Sequence, residues 1–202
     1  MHYRQTLRLL GDFRVTVDDE PVYGRVSPRV QTLLTYVVLH ADEAVSRQRV
    51  AFDLWPDSND VQARTNLRKL LHELRSSLPD ADDCLISTNT TLQWNAHAPY
   101  SVDVVLLREA LAQADHDPDD LDAHRRVGEL YTGELLPRCY DDWVAPLRAE
   151  LQRAVHDALS RLADKLEVAR AYDDAVRYAR QLAELDPLDE IAAQRLMRLY
   201  LL

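Results

Sequence analysis

The sequence predicts a mainly α-helical protein in two parts, the first with short strands around three helices and the second of helices alone. Three observations predict it. The opening residues alternate apolar and polar side chains, as half-buried strands do. From Ser27 onward apolar residues recur at roughly the 3.6-residue period of an amphipathic helix. Beyond Ser101 only that helical period continues. The 202 residues are 47% hydrophobic, enough for one large domain or two small ones. With 9 prolines and 4 glycines there is no low-complexity linker.

Each element can be justified in order. "TLRLLGDFRVTVDDEPVYG" predicts strands over 6–10 and 13–17, a polar turn at 18–20 and a third strand near 22–23. "SPRVQTLLTYVVLH" starts a helix with Ser27 as its cap and Pro28 at its first position, and Val30, Leu33, Leu34, Val37 and Val38 form its apolar stripe. "AVSRQRVAFDLWP" is a shorter helix capped by Ser46 and stopped by Pro56. In the loop "DSNDVQ", Asp60 is expected to cap the next helix, over 61–78.

That helix contains "ARTNLRKLLHELRSSL". Leu67, Leu70, Leu71, Leu74 and Leu78 fall on one stripe; Thr65, Lys69, His72 and Ser76 fall opposite; Arg64, Arg68 and Arg75 line one flank. After Pro79, "CLISTNTTLQW" reads as two strands about a turn at 89–90. Strands, three helices and a hairpin in this order describe a winged helix-turn-helix with a small β-sheet, its third helix suited to the major groove and its hairpin to the role of wing. The same scaffold could equally serve protein contacts.

From Ser101, "SVDVVLLREALAQAD", "DLDAHRRVGELYTGELL" and "DDWVAPLRAELQRAVHDALSRLADKLEVA" are long amphipathic stretches. "AYDDAVRYARQLAELDPLDEIAAQRLMRLYLL" is similar to a tetratricopeptide unit, with Ala175 on the second helix and Pro187 closing it. Leu159 and Ala163 stand where that repeat's first helix carries Trp and Gly. The expected division is therefore a winged-helix domain over 1–99 and an all-α, tetratricopeptide-like domain over 100–202. The last helix lacks a partner helix, the expectation being that the chain is part of a longer protein, with a capping role for this helix as the alternative.

Charge bounds the partners. The net charge is −10, which by itself argues against a polyanion. Its distribution reverses that: residues 1–100 hold 11 Lys+Arg against 13 Asp+Glu, while residues 101–202 hold 13 against 21. Within 61–78, Arg64, Arg68, Lys69 and Arg75 face a single acid, Glu73. Binding to phosphate answers to the field within about 8 Å at physiological salt, so a basic helix on an acidic protein remains suited to double-stranded DNA.

Arg68 and Lys69, beside Thr65 and His72, present the hydrogen-bonding groups that read base edges. Arg64 and Arg75 are placed for phosphates, and Asn89 and Thr90 of the wing for a phosphate or the minor groove. The alternative for each is a solvated side chain.

No enzyme, cofactor or metal is expected. The 4 glycines form no phosphate loop and the 7 histidines show no ligand spacing. "DHDPDD" at 115–120 lacks the glycine and terminal glutamate of a calcium loop and reads as an inter-helix loop. Cys84 and Cys139 are far apart and expected to be reduced and structural. "MHYRQTLRLLGDF" lacks the apolar core of a signal peptide, and no run of about 18 apolar residues occurs; the expectation is a cytoplasmic protein with no membrane partner.

Taken together, "LRLLGDFRVTV", "VSRQRVAFDLWPD", "ARTNLRKLLHELRSSL" and "LYTGELLPRCYDDWVAPLRAEL" resemble the SARP-type regulators of actinomycetes and their larger ATPase-containing relatives. The resemblance covers nearly the whole chain and implies a response-regulator-like winged helix followed by a bacterial transcriptional activator domain. It implies sequence-specific DNA binding at direct repeats near promoters, and contact with RNA polymerase. The recognition helix matches 63–78 and the wing 87–92; the polymerase-facing loop matches Pro56, Asp57, Ser58 and Asn59. Two positions depart from the family pattern: Glu73 stands where Arg is frequent, and "NTTLQW" replaces a Gly-Tyr hairpin.

A weak homodimer on DNA through the helical domain is the expected assembly, using Ile191, Leu196, Leu199 and Tyr200 of the last helix. The alternative function is a helical-repeat adaptor whose winged helix binds protein. No sequence signal marks a small-molecule pocket between the helices.

Overall fold

The computed structural model describes residues 5–18, 20–21, 26–78, 80–95, 97–98 and 100–201. The chain forms two compact units, Met1–Val105 with Leu135–Ala145, and Leu106–Glu134 with Pro146–Leu202.

In the first unit, β1 (Gln5–Arg8) and β2 (Arg14–Val17) pair antiparallel. Gly11, at φ 69°, makes the turn between them where a side chain would be strained. β3 (Glu20–Pro21) continues beside β2; the expected strand at 22–23 lies outside the described residues. α1 (Pro28–Leu39) starts as its sequence dictates, with Ser27 accepting from the Val30 amide and Pro28 in the first turn. A two-residue β4 (Val45–Ser46) leads into α2 (Arg47–Leu54), whose cap Ser46 accepts from the Arg49 amide at 3.1 Å.

α3 (Asp60–Ser77) corrects one expectation. Its cap is Asn59, whose backbone is extended and whose Oδ1 accepts from the Gln62 amide at 2.9 Å. Asp60 is already helical, so its carboxylate serves instead in the first turn, where the helix dipole favours an anion. A short α4 (Ala81–Cys84) follows, then β5 (Leu85–Ser87) and β6 (Thr91–Trp94), which form a sheet in the order β4-β6-β5. Leu33, Leu34 and Val37 of α1, Val50 and Leu54 of α2, Leu67, Leu71 and Leu74 of α3, and Leu92 and Trp94 of the hairpin are buried in one core. Cys84 and Cys139 are both buried thiols, not joined in a disulfide.

Residues 101 and 102, expected to open a helix, instead belong to β7 (Tyr100–Val102), which pairs parallel with the open edge of β1. The helix α5 (Asp103–His116) begins only afterwards. Asp103 makes the junction: its carboxylate accepts from the amides of Leu9 (2.9 Å), Leu10 (3.0 Å) and Val104 (2.7 Å). The segment 135–145 also belongs to this unit, through a bridge between Leu10 and Leu135, a bond from the Leu136 amide to Leu9 O at 3.1 Å and an Arg29–Asp141 ion pair at 2.6 Å. The compact units therefore differ from the division at 99/100. Pairing across about a hundred residues of sequence, which no local pattern announces, claims both segments.

The second unit continues α5 and adds α6 (Leu121–Leu130), most of α7 (Val144–Val168), α8 (Tyr172–Leu185) and α9 (Glu190–Leu199). α6 stops at Leu130, short of the expected helical run to 136. In the 115–120 loop, Asp120 caps α6, accepting from the amides of Asp122 and Ala123 at 3.0 Å. Leu159, Ala163 and Ala175 are fully buried, as tetratricopeptide-like packing requires of those positions. A Cβ at Gly128 would lie 2.9 Å from the Tyr178 ring and 3.1 Å from Leu159, so the missing side chain is what lets α6 approach so closely. Leu199 is buried, which removes it from the contact surface expected of α9, whereas Ile191 and Tyr200 are exposed. Among the described residues no helix is long and apolar enough to cross a membrane.

Asp189 caps α9, accepting from the amides of Ile191 (2.8 Å) and Ala192 (3.1 Å), and His156 Nε2 on α7 donates to its Oδ2 at 2.8 Å. The His156 bond, followed by the Ala192 amide, holds this carboxyl below its ordinary range. A depressed native pKa contributes stability that is present above the unfolded value and lost as pH falls through the native one. Acidification from about pH 4 downward should therefore release α9, seen as faster hydrogen exchange at Ile191 and Ala192. Asp189→Ala should remove the cap, at a cost of about 1 kcal/mol, and abolish that pH dependence; exchange that stays pH-dependent in the variant would assign it elsewhere.

Candidate nucleic-acid interface

The surface is built on α3. Its leucine stripe and Ala63 are buried against α1 and α2, and this fixes the rotation of the helix about its axis. The opposite face is thereby exposed as one strip carrying Arg64, Arg68, Lys69, His72 and Arg75. Among the described residues, Arg68, Lys69 and His72 meet no hydrogen-bond or ion-pair partner, and all three are exposed to a ligand. Thr65 is half-buried, and its hydroxyl donates back to Val61 O at 2.8 Å. Gln62 and Asn66, beside it, bond to each other at 2.8 Å.

Two of the three flanking arginines already have partners. Arg64 lies 3.8 Å from Asp60, one turn before it. Arg75 donates through Nε to Asp82 Oδ1 of α4 at 2.9 Å.

The wing joins this surface through the start of α2. The Arg47 amide donates to Thr90 O at 2.8 Å, and a terminal guanidinium nitrogen of Arg47 donates to Ser87 Oγ at 2.7 Å. Thr88 shapes the turn: its Oγ1 accepts from the amides of Thr90 (3.2 Å) and Thr91 (2.9 Å). A groove of about 410 Å³ results, with Ser46, Arg47 and Gln48 on one side, Arg64, Leu67 and Arg68 on another, and Asn89 and Thr90 at the wing. Its lining carries three guanidinium groups and no carboxylate.

Arg47 is the residue that sequence reasoning missed. Its Nε is buried and has no hydrogen-bond partner among the described residues. Burial, then the neighbouring charges of Arg75 and Arg68, pulls its pKa below the ordinary arginine value. A cation crowded by like charges with an unused donor suits an anion in the groove. Only its position at the start of α2, beside the Ser46 cap, could have drawn attention to it; its partner Ser87 is 40 residues away.

The structure thus brings Arg64, Arg68, Asn89 and Thr90 around one groove with Arg47, and leaves Lys69, His72 and Arg75 further along the exposed face of α3. Pro56, Asp57, Ser58 and Asn59 form the turn between α2 and α3. Pro56, Asp57 and Asn59 are exposed and Ser58 half-buried; the Asn59 side chain is committed to capping α3.

The fold is a winged helix followed by a helical domain, with a basic helix and wing on one face of the first unit. Mycobacterium tuberculosis EmbR, solved in complex with a low-affinity phosphopeptide, shares this fold with a TM-score of 0.73 over 98% of the present chain, at 18% sequence identity. The chain spans 55% of the length of that structure. This bears out, at the level of fold, the resemblance to SARP-type regulators. No family model and no curated protein sequence matches the chain.

Proposed function

We propose that the chain is a sequence-specific transcriptional regulator that binds double-stranded DNA through α3 and the wing and acts as an activator. The observation that carries this reading is the groove where Arg47, Arg64 and Arg68 converge beside the wing, with no carboxylate in its lining. In this arrangement α3 lies in the major groove, Arg68 and Lys69 with Thr65 and His72 meet base edges, and Arg47, Arg64, Arg75, Asn89 and Thr90 meet the backbone. The regulator acts in the cytoplasm, without catalysis or a cofactor.

A salt titration tests the reading. Binding through several phosphates loses affinity linearly in log–log form with rising salt, with a slope of about −0.9 for each phosphate neutralised. No binding to any duplex in a random-sequence selection would exclude it and leave the adaptor reading, in which the winged helix meets protein.

Pro56, Asp57, Ser58 and Asn59 are proposed to face RNA polymerase, because the turn carries no cation and does carry Asp57. Alanine at Pro56, Asp57 and Ser58 should spare promoter affinity and lower transcription in vitro. At Asn59 the informative change is to Ser, which keeps the cap of α3. Unchanged transcription at full promoter occupancy would dismiss this role.

A single module of this kind buries about 600–1,000 Å², so tight binding calls for two subunits on adjacent repeats, associating weakly through the helical domain. With Leu199 buried, the surface open to such contact on α9 includes Ile191, Met197 and Tyr200. Sedimentation should show a monomeric or weakly associating free protein that loads cooperatively on a two-repeat duplex. Equal affinity per repeat on one-repeat and two-repeat duplexes would refute cooperation.

A further inference from the structure

Among the described residues, Arg75 is the basic residue of the α3 face that a carboxylate from another element holds directly. Its Nε donates to Asp82 Oδ1 at 2.9 Å, and Asp82 belongs to α4, outside the recognition helix. The Asp82 side chain is 83% exposed and that of Arg75 40%, so the pair sits at the surface where a ligand can reach both partners. The pair is also coupled to the groove, since the charge of Arg75 is among those that press on Arg47. A carboxylate on Arg75 therefore quiets a crowded cationic cluster in the absence of ligand.

We propose that Asp82 is an internal stand-in for a DNA phosphate. It occupies the Arg75 guanidinium in the free protein and is displaced when the duplex arrives, so that part of each binding event is an exchange of one anion for another. The proposal rests on the DNA-binding reading above and deepens it by assigning a regulatory residue to the same surface. Because phosphate contacts carry no sequence information, Asp82 lowers affinity for every duplex and keeps sequence-independent retention weak. An exposed ion pair is easily exchanged, so this brake does not block binding.

Asp82→Asn keeps the size of the side chain and removes its charge. It should tighten binding to a random-sequence duplex about two- to fivefold at low salt, with the gain shrinking as salt rises. In the Arg75→Ala background the same substitution should give no gain, and Asp82→Glu should restore wild-type affinity. Tryptophan-monitored unfolding should show Asp82→Asn with the denaturant midpoint of the wild type. An equal gain with and without Arg75 would overturn the proposal, since the effect would then be one of net charge alone. So would wild-type affinity for Asp82→Asn while the wild-type protein binds duplex normally. If the wild-type protein binds no duplex at all, the DNA-binding reading itself falls and this inference with it.

Discussion

Leu71→Ala and Leu74→Ala should each destabilise the first unit by about 2–5 kcal/mol, while Arg68→Ala on the same helix should change stability by less than about 0.5 kcal/mol. The two leucines are 2% and 1% exposed and pack α3 against α1 and α2. Truncation removes their transfer free energy and leaves a cavity that rigid helix packing cannot fully close. Arg68 is exposed and, among the described residues, has no hydrogen-bond or ion-pair partner that its loss would break. The 3 tryptophans, Trp55, Trp94 and Trp143, all lie in the first unit, so denaturant unfolding followed by their fluorescence reports on that unit alone. Domains of this size typically have only 5–15 kcal/mol of stability, so either leucine variant should shift the midpoint clearly. A large stability loss from Arg68→Ala would instead make it a structural residue.

Base-reading and phosphate-binding residues should separate in a second experiment. Arg68→Ala and Lys69→Ala should each cost about 1–3 kcal/mol on the preferred site and little on random duplex. Arg64→Ala and Arg47→Gln should weaken all duplexes nearly equally and flatten the salt slope by about one unit each. Arg47 also ties α2 to Ser87 of the wing, so its variant is read alongside a fluorescence melt. A loss of affinity with an unchanged salt slope would mean that Arg47 acts by placing the wing and not by meeting a phosphate. Equal losses on preferred and random duplexes for Arg68→Ala would remove it from the base-reading set.

The elements of the winged helix were legible because each rests on a local rule. Ser27 with Pro28, and Ser46, cap helices through amides three residues on. The leucine stripe of α3 follows from the helical period alone and sets which residues face out. Asn59 and Asp60 show the limit of that legibility: both can cap, and backbone conformation decides that Asn59 does. Arg64, Arg68, Lys69 and Arg75 could be placed on one face from spacing. Spacing could not show that Arg75 is held by Asp82, that Arg64 lies near Asp60, or that Arg47 completes the groove.

The sequence by itself determined α1, α2 and α3, the Ser27 and Ser46 caps, the buried face of α3 and hence its basic outer face, since periodicity and capping act over one or two turns. Only the tertiary structure decided that residues 100–102 form a strand beside β1, that 135–145 belong with the first unit, and that the wing turn rests on Arg47. Those outcomes depend on pairing between segments far apart in the chain. There, hydrogen bonding to an open strand edge or to a distant backbone oxygen outweighs the few tenths of a kcal/mol by which local propensity favours one conformation.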